Sequence, residues 1–294
     1  MNILFMKNYQ NFMLFFTFFL FWFSIQFGQL VEDSVAFVLI ISLGILHGAN
    51  DLLILSKRKN ERNLFLKNLG IYLAIILACI LIYLLSSFVA IILFILLSSY
   101  HFGEEHLGEK IKVNTFFNSI YFLAYGLLLF SILFYVSISD VDEIMRELTD
   151  TTFTKFQIEM TFLISSSILL IASLYLVVKE KTLLSMLLKE FFYLCLLFVV
   201  FKTSSLILGF AIYFIFWHSI PSILNQVAFI YGNLKRESVL GYIKKALIYW
   251  GISVFGLLLL YQVIPQINLF STIIFVVLFA VTAPHAWVMY RMKS

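Results

Sequence analysis

Apolar residues fill this chain in long runs, too long for strands and too unbroken for the helices of a soluble core. A bilayer core of about 30 Å asks for roughly 20 apolar residues per helix. On that measure the pattern predicts ten spans, at about 11–27, 35–56, 65–85, 87–106, 115–136, 160–179, 183–203, 205–230, 242–264 and 269–290. Only Ser86 and Ser87, within "LIYLLSSFVAIILF", divide the third span from the fourth. The first run, "NFMLFFTFFLFWFSIQF", has the length of a signal peptide. It lacks a small-residue cleavage site and many spans follow it, so it reads as a helix. After the fifth span, "SDVDEIMRELTDTTFTKFQIE" sets Val141, Ile144 and Leu148 at helical spacing. This predicts a short amphipathic helix on the membrane surface with a solvated charged face.

Composition agrees with a membrane chain. Of 294 residues, 62% are hydrophobic and 12% charged, more apolar surface than a soluble domain of this size can hide. The fold class expected is all-α: a polytopic transmembrane helix bundle forming one integral-membrane domain over residues 1–294. Charge sets its orientation. With the N-terminus inside, one set of loops collects Lys57, Arg58, Lys59, Arg62 and Lys67, then Lys110 and Lys112, Lys179 and Lys181, and Lys235, Arg236, Lys244 and Lys245, with Arg291 and Lys293 in the tail. The opposite loops hold Glu32, Asp33, the acidic 138–158 stretch and an uncharged turn around Gln266; Lys202, Arg146 and Lys155 are exceptions. This positive-inside pattern puts both termini in the cytoplasm, and only an even number of spans preserves it. Cys79 and Cys195 lie within apolar runs, as small core residues do, rather than in a thiolate metal site. No internal repeat, linker or nucleic-acid-binding stretch stands out.

The polar residues inside the spans carry the candidate chemistry. His47 lies in "GILHGANDLLIL", His101 and His106 in "SSYHFGEEH", His218 in "IFWHSIPSILNQ" and His285 in "VTAPHAWVMY". By the topology above, His47, His101, His106 and His285 fall in the cytoplasmic half and His218 near the middle. One membrane histidine is as readily an interhelical hydrogen bond as a ligand. Four helices that deliver imidazoles to overlapping depths favour a shared metal, because imidazole is the commonest metal-ligand side chain and a neutral ligand costs less to bury than a carboxylate. Asp51, four residues after His47, is placed to accept the N–H of a ligating ring, and Glu104 and Glu105 to do the same for His101. The plainer readings are a capped helix end for Asp51 and solvated carboxylates at the membrane edge for the glutamates. Asn225 lies two turns after His218 on the same face. Gly44 and Gly48 flank His47, Gly103 follows His101, and Pro221 and Pro284 adjoin His218 and His285. Such glycines permit close helix approach, which for Gly44 reads as ordinary packing. Imidazoles with oxygen neighbours and no thiolate suit iron, copper or zinc, and carboxylates are too few for a Mg²⁺ or Ca²⁺ cage.

At these residues the chain resembles the Brp/Blh family of membrane β-carotene 15,15′-dioxygenases. The matching pieces are "HGANDLLIL", "YHFGEEH", "WHSIPS" and "TAPH", in order and across nearly the whole chain. The resemblance implies a histidine-held non-haem Fe(II) site that uses O₂ to cleave the central double bond of β-carotene into two retinals. It implies an inner-membrane enzyme in contact with membrane lipid, feeding a retinal-binding rhodopsin. In the family a second histidine often follows four residues after the one matching His218; here that position is Ser222, preceded by Pro221. His285 is the expected fourth ligand beside His47, His101 and His218, with His106 in reserve. Trp217 and Trp287, each beside a histidine, are expected to line a polyene site. Two other readings compete. A carotenoid or retinal carrier without catalysis is favoured by the missing histidine at 222. A histidine-relay transporter lacks visible inverted repeats and a charged path through the outer half.

Overall fold

A computed structural model of the chain describes residues 3–57, 62–263 and 268–293. Among the described residues there are eleven helices and no strand. They are α1 (Ile3–Gln26), α2 (Gln29–Lys57), α3 (Arg62–Leu85), α4 (Ser87–Leu107), α5 (Thr115–Val136) and α6 (Ile138–Thr149). They continue with α7 (Lys155–Lys179), α8 (Leu183–Thr203), α9 (Leu206–Tyr231), α10 (Arg236–Val263) and α11 (Asn268–Lys293). The protein is an all-α polytopic membrane bundle. Eight helices, α2 to α5 and α7 to α10, are long and apolar enough to cross a bilayer among the described residues. The first and tenth predicted spans fall on α1 and α11, helices of 24 and 26 residues outside that set. Arg58, Lys59 and the turn around Gln266 lie outside the described residues.

Local chemistry sets the helix ends. Ser86 alone separates α3 from α4, as the serine pair suggested. The Asn114 side chain accepts from the Phe117 N–H at 2.8 Å and opens α5. Thr154 and Gln157 form a reciprocal capping box at the start of α7. Ser205 caps α9 through the Leu208 N–H, and its own N–H donates to the Glu32 carboxylate at 2.6 Å. Each cap is worth about 1 kcal/mol in water, and an orphaned N–H costs more where lipid replaces water. Gly232, at φ +74°, closes α9 in the left-handed region where only glycine is at ease. The predicted surface helix is α6, which buries Val141, Met145 and Leu148; Met145 takes the inward position expected of Ile144.

Two helices are irregular. α2 runs as α-helix to Leu39, as π-helix over Ile40–Gly44 and as α-helix over Ile45–Gly48, breaks at Ala49–Asn50, and resumes at Asp51. α9 has a longer π stretch, Tyr213–Ser219. π-Helix accounts for well under 1% of residues in globular proteins and gathers at functional sites. α9 is also the most enclosed span, with 78% of its most apolar window inside the protein against 6% for α3. Its Tyr213, His218, Ser219, Ser222 and Gln226 side chains are buried in the protein.

The chain divides into two compact units. The first comprises Met1–Ile40, Ser99–Val141 and Phe153–Ser219. In it α5 packs along α7, joined by Tyr121 and Ser173 hydroxyls 2.9 Å apart. α4 and α5 touch backbone to backbone: a Cβ on Gly103 would lie 2.0 Å from the Phe122 carbonyl oxygen, and one on Gly126 2.0 Å from that of Ser99. The second comprises Ile41–Ser98, Asp142–Thr152 and Ile220–Ser294. α11 is central to it. One apolar cluster joins Ile54 and Leu55 of α2 to Val288 and Met289 of α11, and another joins Cys79 of α3 and Ala90 of α4 to Phe279 and Ala280.

Candidate metal-binding histidines

Each unit buries a pair of histidine rings. In the second unit, His47 on α2 and His285 on α11 stand edge to face, centroids 4.5 Å apart and planes at 78°. In the first, His101 on α4 and His218 on α9 stand the same way, at 4.8 Å and 78°. All four side chains are buried. The spacing can be checked against metal geometry. An imidazole nitrogen about 2.0–2.1 Å from a first-row ion puts its ring centroid about 3.2 Å away. Two rings at roughly 90–110° on one ion then have centroids about 4.5–5.2 Å apart. Both pairs fall in that range.

The His47 and His285 rings are oriented by oxygen acceptors. His47 Nδ1 donates to the Gly44 carbonyl, at the end of the π-helical turn. His285 Nδ1 donates to Asp51 Oδ1 at 2.8 Å, with both side chains about 1–2% exposed. A carbonyl oxygen and a carboxylate oxygen both accept, so each of these bonds is made by an Nδ1–H. Asp51 Oδ2 accepts from the Tyr72 hydroxyl at 3.1 Å, fixing the carboxylate in turn. Gly48 lies beside this pair: a Cβ there would make ordinary contact, 3.7 Å from His285 Nδ1 and 3.9 Å from Asp51 Oδ2.

The His47 backbone is held as well. Its carbonyl accepts from Gln226 Nε2 at 2.9 Å, and the Gln226 carbonyl accepts from the Tyr242 hydroxyl at 2.7 Å. Gln226 also donates to Ser222 Oγ at 3.2 Å, and Asn50 Nδ2 donates to the Tyr242 carbonyl at 3.0 Å. These side chains hold His47 just before the break at Ala49–Asn50.

The structure thus brings Asp51 to His285, 234 residues away, rather than to its neighbour His47. Asn225 is half-buried, and the next residue, Gln226, is the buried amide. Sequence reasoning passed over Gln226, Tyr242, Tyr72 and Gly126. Their one visible signal was polarity, or a missing side chain, inside an apolar span.

Residues 38–293 match the profile of the Beta-carotene 15,15′-dioxygenase family. The chain belongs to this family. No curated protein and no solved structure matches it. In this dioxygenase-family member a set of three buried histidines is compatible with a metal ion. His106 has other partners in the first unit: Glu190 Oε2 at 2.6 Å, and Tyr125 stacked at 5.3 Å. Lys110 completes that cluster at 2.8 Å from Glu190 Oε1. Glu104 accepts from the Tyr100 hydroxyl at 3.4 Å, and Glu105 beside it is half-buried. The Trp217 indole donates to Thr17 at 3.1 Å and packs on Tyr193, while Trp287 packs on the Ile54–Met289 cluster under the Arg291 guanidinium. Ser222 is buried, 3.8 Å from the Met289 sulfur.

Proposed function

We propose that this dioxygenase-family protein cleaves β-carotene at its central double bond with O₂, releasing two molecules of all-trans-retinal. We assign the metal to Fe(II) and its ligands to His47, His101, His218 and His285. One observation carries the assignment. Two buried histidine pairs each have the ring spacing of imidazoles on a single ion, and each includes a histidine within or just after a π-helical segment.

In this reading His285 is the ligand that Ser222 cannot supply. Asp51 holds the His285 ring through Nδ1 and so leaves Nε2 to the metal. Gly44 and Gln226 fix the His47 ring and backbone. Bound iron would supply the activation of O₂, one oxygen atom going to each carbon of the severed double bond. The chain's own part is ligand geometry, proton placement on Nδ1, and exclusion of water by the apolar helices around the rings. We assign Glu104, Glu105 and Asn225 to support of the ligand rings and Trp217 and Trp287 to binding of the polyene. A substrate soluble only in lipid suits a membrane fold entered from the bilayer. We further assign the protein to the inner membrane with both termini cytoplasmic, on its Lys/Arg distribution, and place a retinal-binding rhodopsin downstream. The test is single replacement of the four histidines by Ala in purified protein. Each should lose bound iron and retinal formation while keeping its helix content. Iron retained in all four variants would end the assignment.

A further inference from the structure

In the first unit, α4, α5, α8 and α9 line a small, partly open void near the His101–His218 pair. Phe102, Leu129, Phe130, Leu133, Phe210 and Tyr213 line it, and its wall is hydrocarbon. The open volume is about 10 Å³, roughly one water-sized sphere. A water would need two to four polar partners there, and a void walled by carbon stays dry. The space suits one small apolar molecule.

Its position gives that molecule a role. The Phe102 ring forms part of the wall and also packs on His218, centroids 4.6 Å apart. From the other side, Phe210 stacks on Phe214 at 5.3 Å, and Phe214 stacks on His218 at 5.8 Å. Phe210 is the half-exposed member of the wall, while Phe102, Leu129, Phe130, Leu133 and Tyr213 are buried. A continuous set of apolar rings therefore runs from a partly exposed rim to a candidate metal ligand. We propose that this void is a docking site for dioxygen, entered from the bilayer past Phe210 and emptied toward His218. The proposal rests on the O₂-dependent reading above. Dioxygen is apolar and diatomic, dissolves preferentially in lipid, and gains nothing from polar walls that would hold water in its place.

The test uses the full chain in detergent micelles with ¹³C-methyl leucines. Dioxygen is paramagnetic, so admission of O₂ under pressure should enhance relaxation at the Leu129 and Leu133 methyls well above that at Leu197 and Leu176, which are equally buried elsewhere. Xenon should shift the same two residues. Leu129→Phe, which fills the void, should abolish both effects and raise KM for O₂ several-fold more than KM for the carotene. Leu133→Met is the milder filler should Leu129→Phe fail to fold, and should weaken both effects. Equal enhancement at all four leucines, or a folded filled variant with unchanged KM for O₂, would overturn the site. The relaxation and xenon measurements need neither metal nor carotene. They therefore fail or succeed separately from retinal formation, whose absence would instead strike the cleavage reading.

Discussion

Asp51 offers the sharpest perturbation of the proposed metal site. Its carboxylate accepts the His285 Nδ1 proton at 2.8 Å where neither side chain meets solvent. Asp51→Asn keeps the volume and leaves an amide oxygen able to accept that proton, but removes the charge. Asp51→Ala removes the acceptor and leaves the Tyr72 hydroxyl without its partner. Loss of such an outer partner typically weakens metal affinity by about 10–100-fold. Asn should sit near the lower end and Ala near the upper, about 1.4 and 2.8 kcal/mol in binding free energy. Tyr72→Phe, which loosens only the far oxygen, should cost less than either. The assay is anaerobic Fe(II) titration against a chromophoric chelator, with helix content and thermal unfolding measured alongside. Unchanged affinity in the folded Asn and Ala variants would refute the claim that Asp51 orients a metal ligand.

Other outcomes follow from the same geometry. His106→Ala should keep iron and measurable retinal formation, because its ring is committed to Glu190; loss of iron, measured by metal analysis, would move a ligand to that position. Gly103→Ala and Gly126→Ala each drive a Cβ into the facing backbone at 2.0 Å, so each should destabilise the protein by about 1–3 kcal/mol or more, read as a lower unfolding temperature in detergent. Gln226→Leu removes the buried amide that bridges the His47 carbonyl and the Tyr242 hydroxyl, leaving them only their own 3.5 Å contact, and should cost about 1–3 kcal/mol, with iron affinity falling in step. Tags on the two termini should both report from the cytoplasmic face.

Much of this was legible in the sequence, for reasons that also mark where legibility stopped. Apolar runs separated by Ser86, Thr154 or Gly232 announce helices and their ends, since both depend on residues within a turn of one another. The histidines were legible because imidazole is conspicuous against Phe, Leu and Ile. Their partners were not. Asp51 stands four residues from His47, yet its bond goes to His285 across 234 residues, and Glu190 reaches His106 across 84. Pairings over such separations depend on which helices meet, which periodicity does not specify. Asn225 and Gln226 are adjacent and chemically alike, so a small rotation of α9 decides which is buried. The π-helical turns depend on a shift in backbone hydrogen bonding that leaves no mark in composition. Gly103 was visible, but its counterpart Gly126 has meaning only once α5 lies against α4.

On this reading the membrane bundle holds iron through its buried histidines and uses it to split β-carotene at the middle. This is tested most directly by loading the purified protein with Fe(II) without air, adding β-carotene, admitting O₂, and quantifying the products by chromatography. The account predicts two molecules of retinal for each β-carotene consumed, and none from metal-free protein. Unaltered carotene in the iron-loaded sample, or aldehydes of unequal length from another double bond, would contradict it.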